Sequence, residues 1–397
     1  MTPRVFLVAG EPSGDQLGAN LIAALKAESG GDVEVAGVGG PLMEGAGLRS
    51  VFPMRDLSVM GFLEVVPRIP KILARLARAS AAARTFDPDA VVTIDSPDFS
   101  FRLQKRLRSQ GLAAARIHYV APSVWAWRPG RARKMAQFLD HVLALLPFEP
   151  PYFEKVGLGC SFVGHPAASD EMPFGDGATY RKAAGLTEEE ILVSVLFGSR
   201  ESEVRRHLAP FREAVERLAA KMPPGRWRLA CPTVAAVREL VEARTADWPV
   251  PVDVFDSQSA AGSQRKRDAF AASRAALAAS GTVTVELARE GTPMVVAYRA
   301  NPVSVWLARR LVSISYASLV NLVLDREAVP ERLQEDCQGD ILASELGALL
   351  FDDTARARQV SDLRAAMARL GAGGPAPSRR AARIVLDLAS AKRATGA

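Results

Sequence analysis

The stretch VFLVAGEPSGD, residues 5–15, decides the architecture. An apolar run from Val5 to Ala9 stops at Gly10, a helical pattern takes over from Asp15 to Ala27, and a second short run follows from Val33 to Val38. Strand, tight turn, helix and strand in that order form a βαβ unit, which requires a parallel sheet. Working outward, Ala90 to Ile94, Arg116 to Val120 and Val142 to Leu146 read as further strands, with helices near Phe101 to Arg108 and Arg131 to Phe138. The alternation lapses at residues 165–178, HPAASDEMPFGDGA, whose Pro, Gly and small polar residues suit a linker. It restarts with Ile191 to Leu196, Arg228 to Cys231, Val252 to Phe255, Ala275 to Ala279 and Pro293 to Ala297. The expected fold is therefore α/β, with two doubly wound Rossmann-like domains, residues 1–170 and 171–397, facing across a cleft. The last segment, Ser378 to Ala391, reads as an amphipathic helix available to pack back on the N-terminal domain.

The bulk composition agrees with two ordinary cores. A chain of 397 residues exceeds the usual single domain, and 48% hydrophobic with 24% charged residues leaves no long low-complexity tract. The formal charge of +6 favours anionic ligands without choosing among phosphates, lipid headgroups and nucleic acid. Arg128, Arg131, Arg133 and Lys134 cluster, as do Arg265, Lys266 and Arg267, but neither group resembles an arginine-rich nucleic-acid tail and solvated helix faces account for both. Cys160, Cys231 and Cys337 are odd in number and far apart, so a disulfide framework is not expected and a reducing cytoplasm fits. Val5 to Ala9 is too short for a signal-peptide core, and Val303 to Leu324 is interrupted by Arg309 and Arg310, so no spanning helix is expected.

Ligands of open α/β sheets bind beyond the carboxyl ends of the strands, which directs attention to the loops there. Gly10-Glu11-Pro12-Ser13-Gly14-Asp15 is not a Walker loop and not a nucleophile elbow. Ser13 and Asp15 serve equally as helix caps and as ligand contacts. Gly37-Val38-Gly39-Gly40 fails the dinucleotide fingerprint because Leu42 replaces its third glycine. After Ala90 to Ile94 comes Asp95-Ser96-Pro97-Asp98, where a carboxylate is placed to accept a proton from an attacking hydroxyl, or to cap the next helix. Ser123, Trp125, Trp127 and Arg128 follow the next strand, as an aromatic platform beside a phosphate-binding charge or as packing. In the second half, Gly198-Ser199-Arg200 offers a guanidinium fork, and Ser280-Gly281-Thr282 opens a helix reaching Glu286, a partner for ribose hydroxyls. His118, His141, His165 and His207 are scattered, so no metal site is expected and no cofactor is implied.

The segments GEPSGD, VMGFLEV, IDSPDF, HYVAPSVWAW, LPFE, VGHP, GSRxxE, ASGTVTVE and SLVNL follow in the order seen in the lipid A disaccharide synthase family, which this chain resembles from about Val8 to Leu324 and beyond. That resemblance implies a GT-B-type inverting glycosyltransferase joining UDP-2,3-diacylglucosamine to 2,3-diacylglucosamine 1-phosphate through a β-1,6 bond, with release of UDP. It assigns the essential aspartate to Asp95 and the essential arginine to Arg200, with Asp98 as the other candidate base. Substrate contacts are expected from Glu11, Ser13, Asp15, Ser123, Trp125, Arg200, Ser280, Gly281, Thr282, Glu286 and Asn321. Phe197 and Val320 replace prolines common in the family, a change that bears on loop stiffness.

A lipid substrate needs an apolar surface, and Val59, Met60, Phe62, Leu63, Val66, Ile69 and Ile72 lie near Arg68, Lys71, Arg75 and Arg78. They read as a patch for an anionic membrane, or as one face of an ordinary amphipathic helix. The expected location is the cytoplasm, peripheral to the inner face of the inner membrane. Nucleic acid is not an expected partner, and the oligomeric state is left open. The alternatives are a nucleotide-sugar 2-epimerase and a non-catalytic lipid- or nucleotide-binding protein.

Overall fold

The computed structural model describes residues 2–57, 69–128, 130–169, 171–222, 225–301, 305, 310 and 315–395. They form two compact units, Met1–Ser169 with Gly374–Ala397, and Asp170–Gly373.

The first unit is built on strands β1 (Arg4–Ala9), β2 (Glu34–Val38), β3 (Ala90–Ile94), β4 (Ala115–Tyr119), β5 (His141–Ala144) and β6 (Gly159–Phe162). All pair in parallel, in the order β2-β1-β3-β4-β5-β6. The helices are α1 (Pro12–Glu28), α2 (Pro41–Gly45), α3 (Ile69–Phe86), α4 (Pro97–Ser109), α5 (Gly130–Met135) and α6 (Pro150–Glu154). Residues on β1 alternate between two cores: Val5, Leu7 and Ala9 pack with Leu21, Ile22 and Leu25 of α1, while Phe6 and Val8 pack with Leu103 and Leu107 of α4. A strand covered on both faces must be apolar at every position, which is why this run shows no alternation in the sequence.

The second unit carries β7 (Ile191–Leu196), β8 (Trp227–Thr233), β9 (Val252–Asp256), β10 (Ala275–Ala279), β11 (Met294–Tyr298) and β12 (Glu331–Leu333), ordered β12-β11-β10-β7-β8-β9. Its helices are α7 (Gly177–Ala183), α8 (Glu201–Ala219), α9 (Ala235–Thr245), α10 (Ala260–Ala272), α11 (Val283–Arg289), α12 (Leu319–Leu324), α13 (Gly339–Phe351) and α14 (Asp353–Arg369). Strand order reverses between β1 and β3 in the first unit and between β7 and β10 in the second. These are the switch points where an α/β sheet opens a crevice for ligand.

The last helix, α15 (Pro377–Thr395), returns to the first unit, where Ala381, Ala382, Val385 and Ala389 are buried against the core of α1, β3 and β4. Arg379 and Arg383 bracket Glu28 at 2.8 and 2.7 Å, and Arg393 pairs with Asp89. The edge strands β6 and β12 escape sequence reading because four and three residues are too few to display a period. Val385→Asp places an unpaired charge in this fully buried seam and is expected to cost about 3–5 kcal/mol of unfolding free energy. Arg379→Ala, at the exposed rim, is expected to cost far less; chemical denaturation of the two variants checks the contrast.

Candidate active site

In the first unit the switch point joins the two acidic loops that the sequence singles out. Ser13 Oγ lies 3.4 Å from Asp95 Oδ2, and Ser96 Oγ donates to Glu11 Oε1 at 3.3 Å. Asp95 and Ser96 both adopt left-handed backbone, at φ of +52° and +43°. Consecutive non-glycine residues there cost energy and persist only where the surroundings hold them. The hold is visible: the Asp95 amide donates to Tyr119 O at 3.0 Å, extending the β3–β4 pairing, and Ser100 Oγ donates to Asp95 O at 2.7 Å. Gly10 leaves room beside them, since a Cβ would sit 2.6 Å from Ser96 Oγ and force that side chain to shift. Asp95 is half-buried, whereas Asp98 stands exposed in the first turn of α4.

The loop after β4 is also held in unusual conformations, with Val120 at φ +77° and Arg128 at φ +57°. Trp125 does not form an open platform: its ring packs edge-on against Phe148, and Nε1 donates to Glu149 Oε1 at 3.1 Å. Glu149 is buried and also accepts from the Leu146 amide at 3.0 Å. Sequence reading gives it no role, though it closes the LPFE stretch three residues after Leu146. Burial pushes its carboxyl up to about 7, outweighing the N–H donors around it. Ser123 and Trp127 are exposed, with the Arg128 guanidinium 4.2 Å over the Trp127 ring.

In the second unit, Gly198 turns the chain at φ +105°, and a Cβ there would meet Glu203 Oε2 at 2.6 Å. Glu203, which closes the GSRxxE stretch, is the organiser, a role the sequence alone does not give it. Its Oε2 accepts from the Ser199 and Arg200 amides at 3.1 and 3.3 Å, while Oε1 accepts from Arg200 Nη1 at 2.9 Å and Tyr298 OH at 3.3 Å. Arg200 is thereby aimed while its side chain stays 76% exposed, its remaining N–H groups available to an anion. The buried His207 stitches the same loop to the end of β11, with Nδ1 donating to Phe197 O at 2.8 Å and Nε2 accepting from the Arg299 amide at 3.0 Å. Burial lowers its pKa, keeping the neutral form that this pattern requires. Beyond β10, Gly281 and Thr282 are exposed, and Ser280 Oγ donates to Ala317 O at 3.2 Å. Glu286 is held by Lys266 Nζ at 2.5 Å.

Two expected ligand contacts belong to the fold instead. Asp15 is buried and accepts from the amides of Gly40, Leu42 and Met43 at 2.9, 3.1 and 3.0 Å, so its carboxylate caps the start of α2. Asn321 is fully buried; Nδ2 donates to Val329 O and Glu331 Oε1 at 2.8 Å each, and Oδ1 accepts from Ala328 and Val329 amides at 2.7 and 2.9 Å, which exhausts the amide. The prolines' replacements, Phe197 and Val320, are buried as well, and Phe197 packs against Phe211 and Trp248. Of the apolar patch, Val59, Met60, Phe62, Leu63 and Val66 lie outside the described residues, as does the side chain of Ile69. Ile72 packs partly buried against the core of the first unit, so it is a helix-face residue and not an open surface. Among the described residues no helix is long and apolar enough to cross a membrane, and no group of His, Cys, Asp and Glu could hold a metal ion.

Two Rossmann-like units, one with carboxylates and the other with an arginine and hydroxyls at its switch point, define a GT-B-type protein. Solved structures of this fold include a putative UDP-N-acetylglucosamine 2-epimerase from Listeria monocytogenes, with a TM-score of 0.63 at 13% identity, covering 97% of this chain and 95% of that one. Another is MurG from Acinetobacter baumannii, with a TM-score of 0.59 at 14% identity and coverages of 97% and 99%. The fold alone, shared with an epimerase, does not fix the activity, and sequence decides it. Residues 5–374 match the Lipid-A-disaccharide synthetase family. The lipid-A-disaccharide synthase of Rhodospirillum centenum is 50% identical over 97% of this chain and 94% of its own length, and that of Ruegeria pomeroyi is 47% identical over 97% and 95%. The chain belongs to the lipid-A-disaccharide synthase family and is a glycosyltransferase.

The raised carboxyl of Glu149 yields a pH prediction. A group whose folded-state pKa rises from 4.5 to about 7 contributes stability that is present below pH 4.5 and lost as the pH climbs through 7. Glu149→Gln lacks that dependence, so wild type should lose stability relative to the variant between about pH 5 and about pH 8. Urea midpoints measured at both pH values check the sign.

Proposed function

We propose that this protein transfers the 2,3-diacylglucosamine unit of its UDP derivative to the 6-hydroxyl of 2,3-diacylglucosamine 1-phosphate, forming a β-1,6-linked disaccharide 1-phosphate and UDP. What carries the reading is the Asp95 loop, a half-buried carboxylate on strained backbone at the first unit's switch point, in a chain of this family. Asp95 takes the proton as the acceptor oxygen bonds to the donor's anomeric carbon, and the bond from that carbon to the diphosphate oxygen breaks with inversion. Asp98, one helical turn away, is the other carboxylate in position. The departing diphosphate gains negative charge as the bond breaks, and Arg200 of the second unit meets it with a guanidinium aimed by Glu203. Gly281, Thr282 and the hydroxyl of Ser280 line the neighbouring loop, and Glu286, released from Lys266, accepts from ribose hydroxyls. Glu11, Ser13, Ser123 and Trp125 border the acceptor.

The acylated substrates reside in a bilayer, so the protein works at its cytoplasmic face. The segment around Phe62 and Leu63, flanked by cations, is the contact with anionic lipid.

Asp95→Asn is expected to retain UDP affinity and lose turnover by about 10²–10⁴-fold, as for removal of a general base. Near-normal turnover in that variant transfers the role to Asp98. Arg200→Ala is expected to weaken UDP binding by about 10–100-fold, the range for losing charge-assisted hydrogen bonds. Calorimetric titration with UDP, run beside a product assay, reads both. Isomerised donor sugar formed without acceptor would favour an epimerase instead.

A further inference from the structure

Several arginines on the first unit have carboxylate partners: Arg116 pairs with Asp140, Arg75 with Asp56, Arg393 with Asp89. Arg128 and Arg131 are set apart by what they pack on. Among the described residues neither guanidinium makes a hydrogen bond or an ion pair; each instead lies on an aromatic ring, Arg128 at 4.2 Å over Trp127 and Arg131 at 5.0 Å over Phe101. They sit one turn apart, with the Arg131 amide donating to Arg128 O at 2.9 Å. Arg128 holds left-handed backbone at φ +57°, a conformation a bulky residue keeps only when its surroundings impose it.

The electrostatics of the pair are unbalanced. Partial burial and the Arg128 charge both pull the Arg131 pKa down, and Asp98 is near enough to oppose them without forming an ion pair. Neighbouring His118 is buried and neutral, its pKa pushed down to about 3. Two cations thus lie close enough to repel each other, with Asp98 near Arg131, and neither bonds an anion among the described residues. Stacking a guanidinium on a ring fixes its plane and leaves its N–H edge free, the geometry that receives oxygens of a phosphate in pairs. Asp98 lies in the same loop as Asp95, so an anion on this pair is carried by the molecule whose hydroxyl Asp95 deprotonates. The phosphate of the acceptor is borne by the sugar ring that supplies that hydroxyl.

We propose that Arg128 and Arg131 form the subsite for the anomeric phosphomonoester of the acceptor sugar. The proposal rests on the transferase reading above, and it assigns the acceptor's charge to the first unit and the donor's diphosphate to the second.

The test uses the full-length enzyme, with Arg131→Met, Arg131→Lys and wild type compared on 2,3-diacylglucosamine with and without its 1-phosphate. Arg131→Met is expected to raise KM for the phosphorylated acceptor about 10–100-fold, leaving KM for the UDP-sugar unchanged. It is also expected to abolish most of the wild-type preference for the phosphorylated acceptor, and Arg131→Lys should restore part of it. Equal discrimination by wild type and Arg131→Met overturns the proposal, as does a matching rise in donor KM. Binding of glucosamine 1-phosphate against glucosamine, read by NMR shifts, reports on the arginines independently of turnover. If wild type forms no disaccharide yet binds the phosphorylated sugar through Arg131, the transferase reading fails and the subsite stands. If disaccharide forms and the variant binds both sugars as wild type does, the subsite fails alone.

Discussion

Everything functional in this chain depends on one constraint of parallel sheets: where strand order reverses, neighbouring strands send their helices to opposite faces and their loops are left side by side. Adjacent strands run only about 4.8 Å apart, so residues following them cannot avoid each other. The reversal between β1 and β3 brings Ser13 to Asp95 and Glu11 to Ser96, across more than eighty residues of sequence. The reversal between β7 and β10 places the Arg200 loop beside Ser280 to Thr282 in the same way. Each unit therefore presents one chemically distinct edge, with carboxylates in the first and an arginine and hydroxyls in the second.

Such an edge must be rigid to be useful, and the rigidity is supplied from behind. Four of the seven described non-glycine residues with positive φ, Asp95, Ser96, Val120 and Arg128, fall in the loops after β3 and β4. Strain of this kind is retained by hydrogen bonds with the following helix and strand, Ser100 Oγ donating to Asp95 O and Tyr119 O accepting from the Asp95 amide, and by Gly10, which leaves room. In the second unit Glu203 collects four donors on one carboxylate, and a neutral His207 ties the same loop to β11. The loops at both edges are thus fixed by side chains packed behind them.

Apolar runs covered on both faces announce themselves by composition, so β1, β3, β7 and β10 were legible with nearly their true limits, and the loops after them followed. Position at a strand end, however, does not reveal which way a side chain turns. Asp15 looks like a ligand contact in sequence and caps α2 through three amides; Asn321 looks available and is spent on the segment before β12. Both are polar residues in apolar surroundings, and tertiary partners decide their use. Glu149 and Glu203 stand in the LPFE and GSRxxE stretches, but their roles were illegible, since Trp125 and Tyr298 reach them only on folding. The short edges β6 and β12 carry too few residues for any period.

Hydrogen–deuterium exchange on the enzyme saturated with UDP tests the central claim most directly. Slowed exchange in the loops after β7 and β10, around residues 197–201 and 280–286, is the predicted result, with further slowing around residues 10–14 and 95–100 when the acceptor is added. Protection that falls instead at the amino ends of the strands, with both pairs of loops unchanged, would contradict the account.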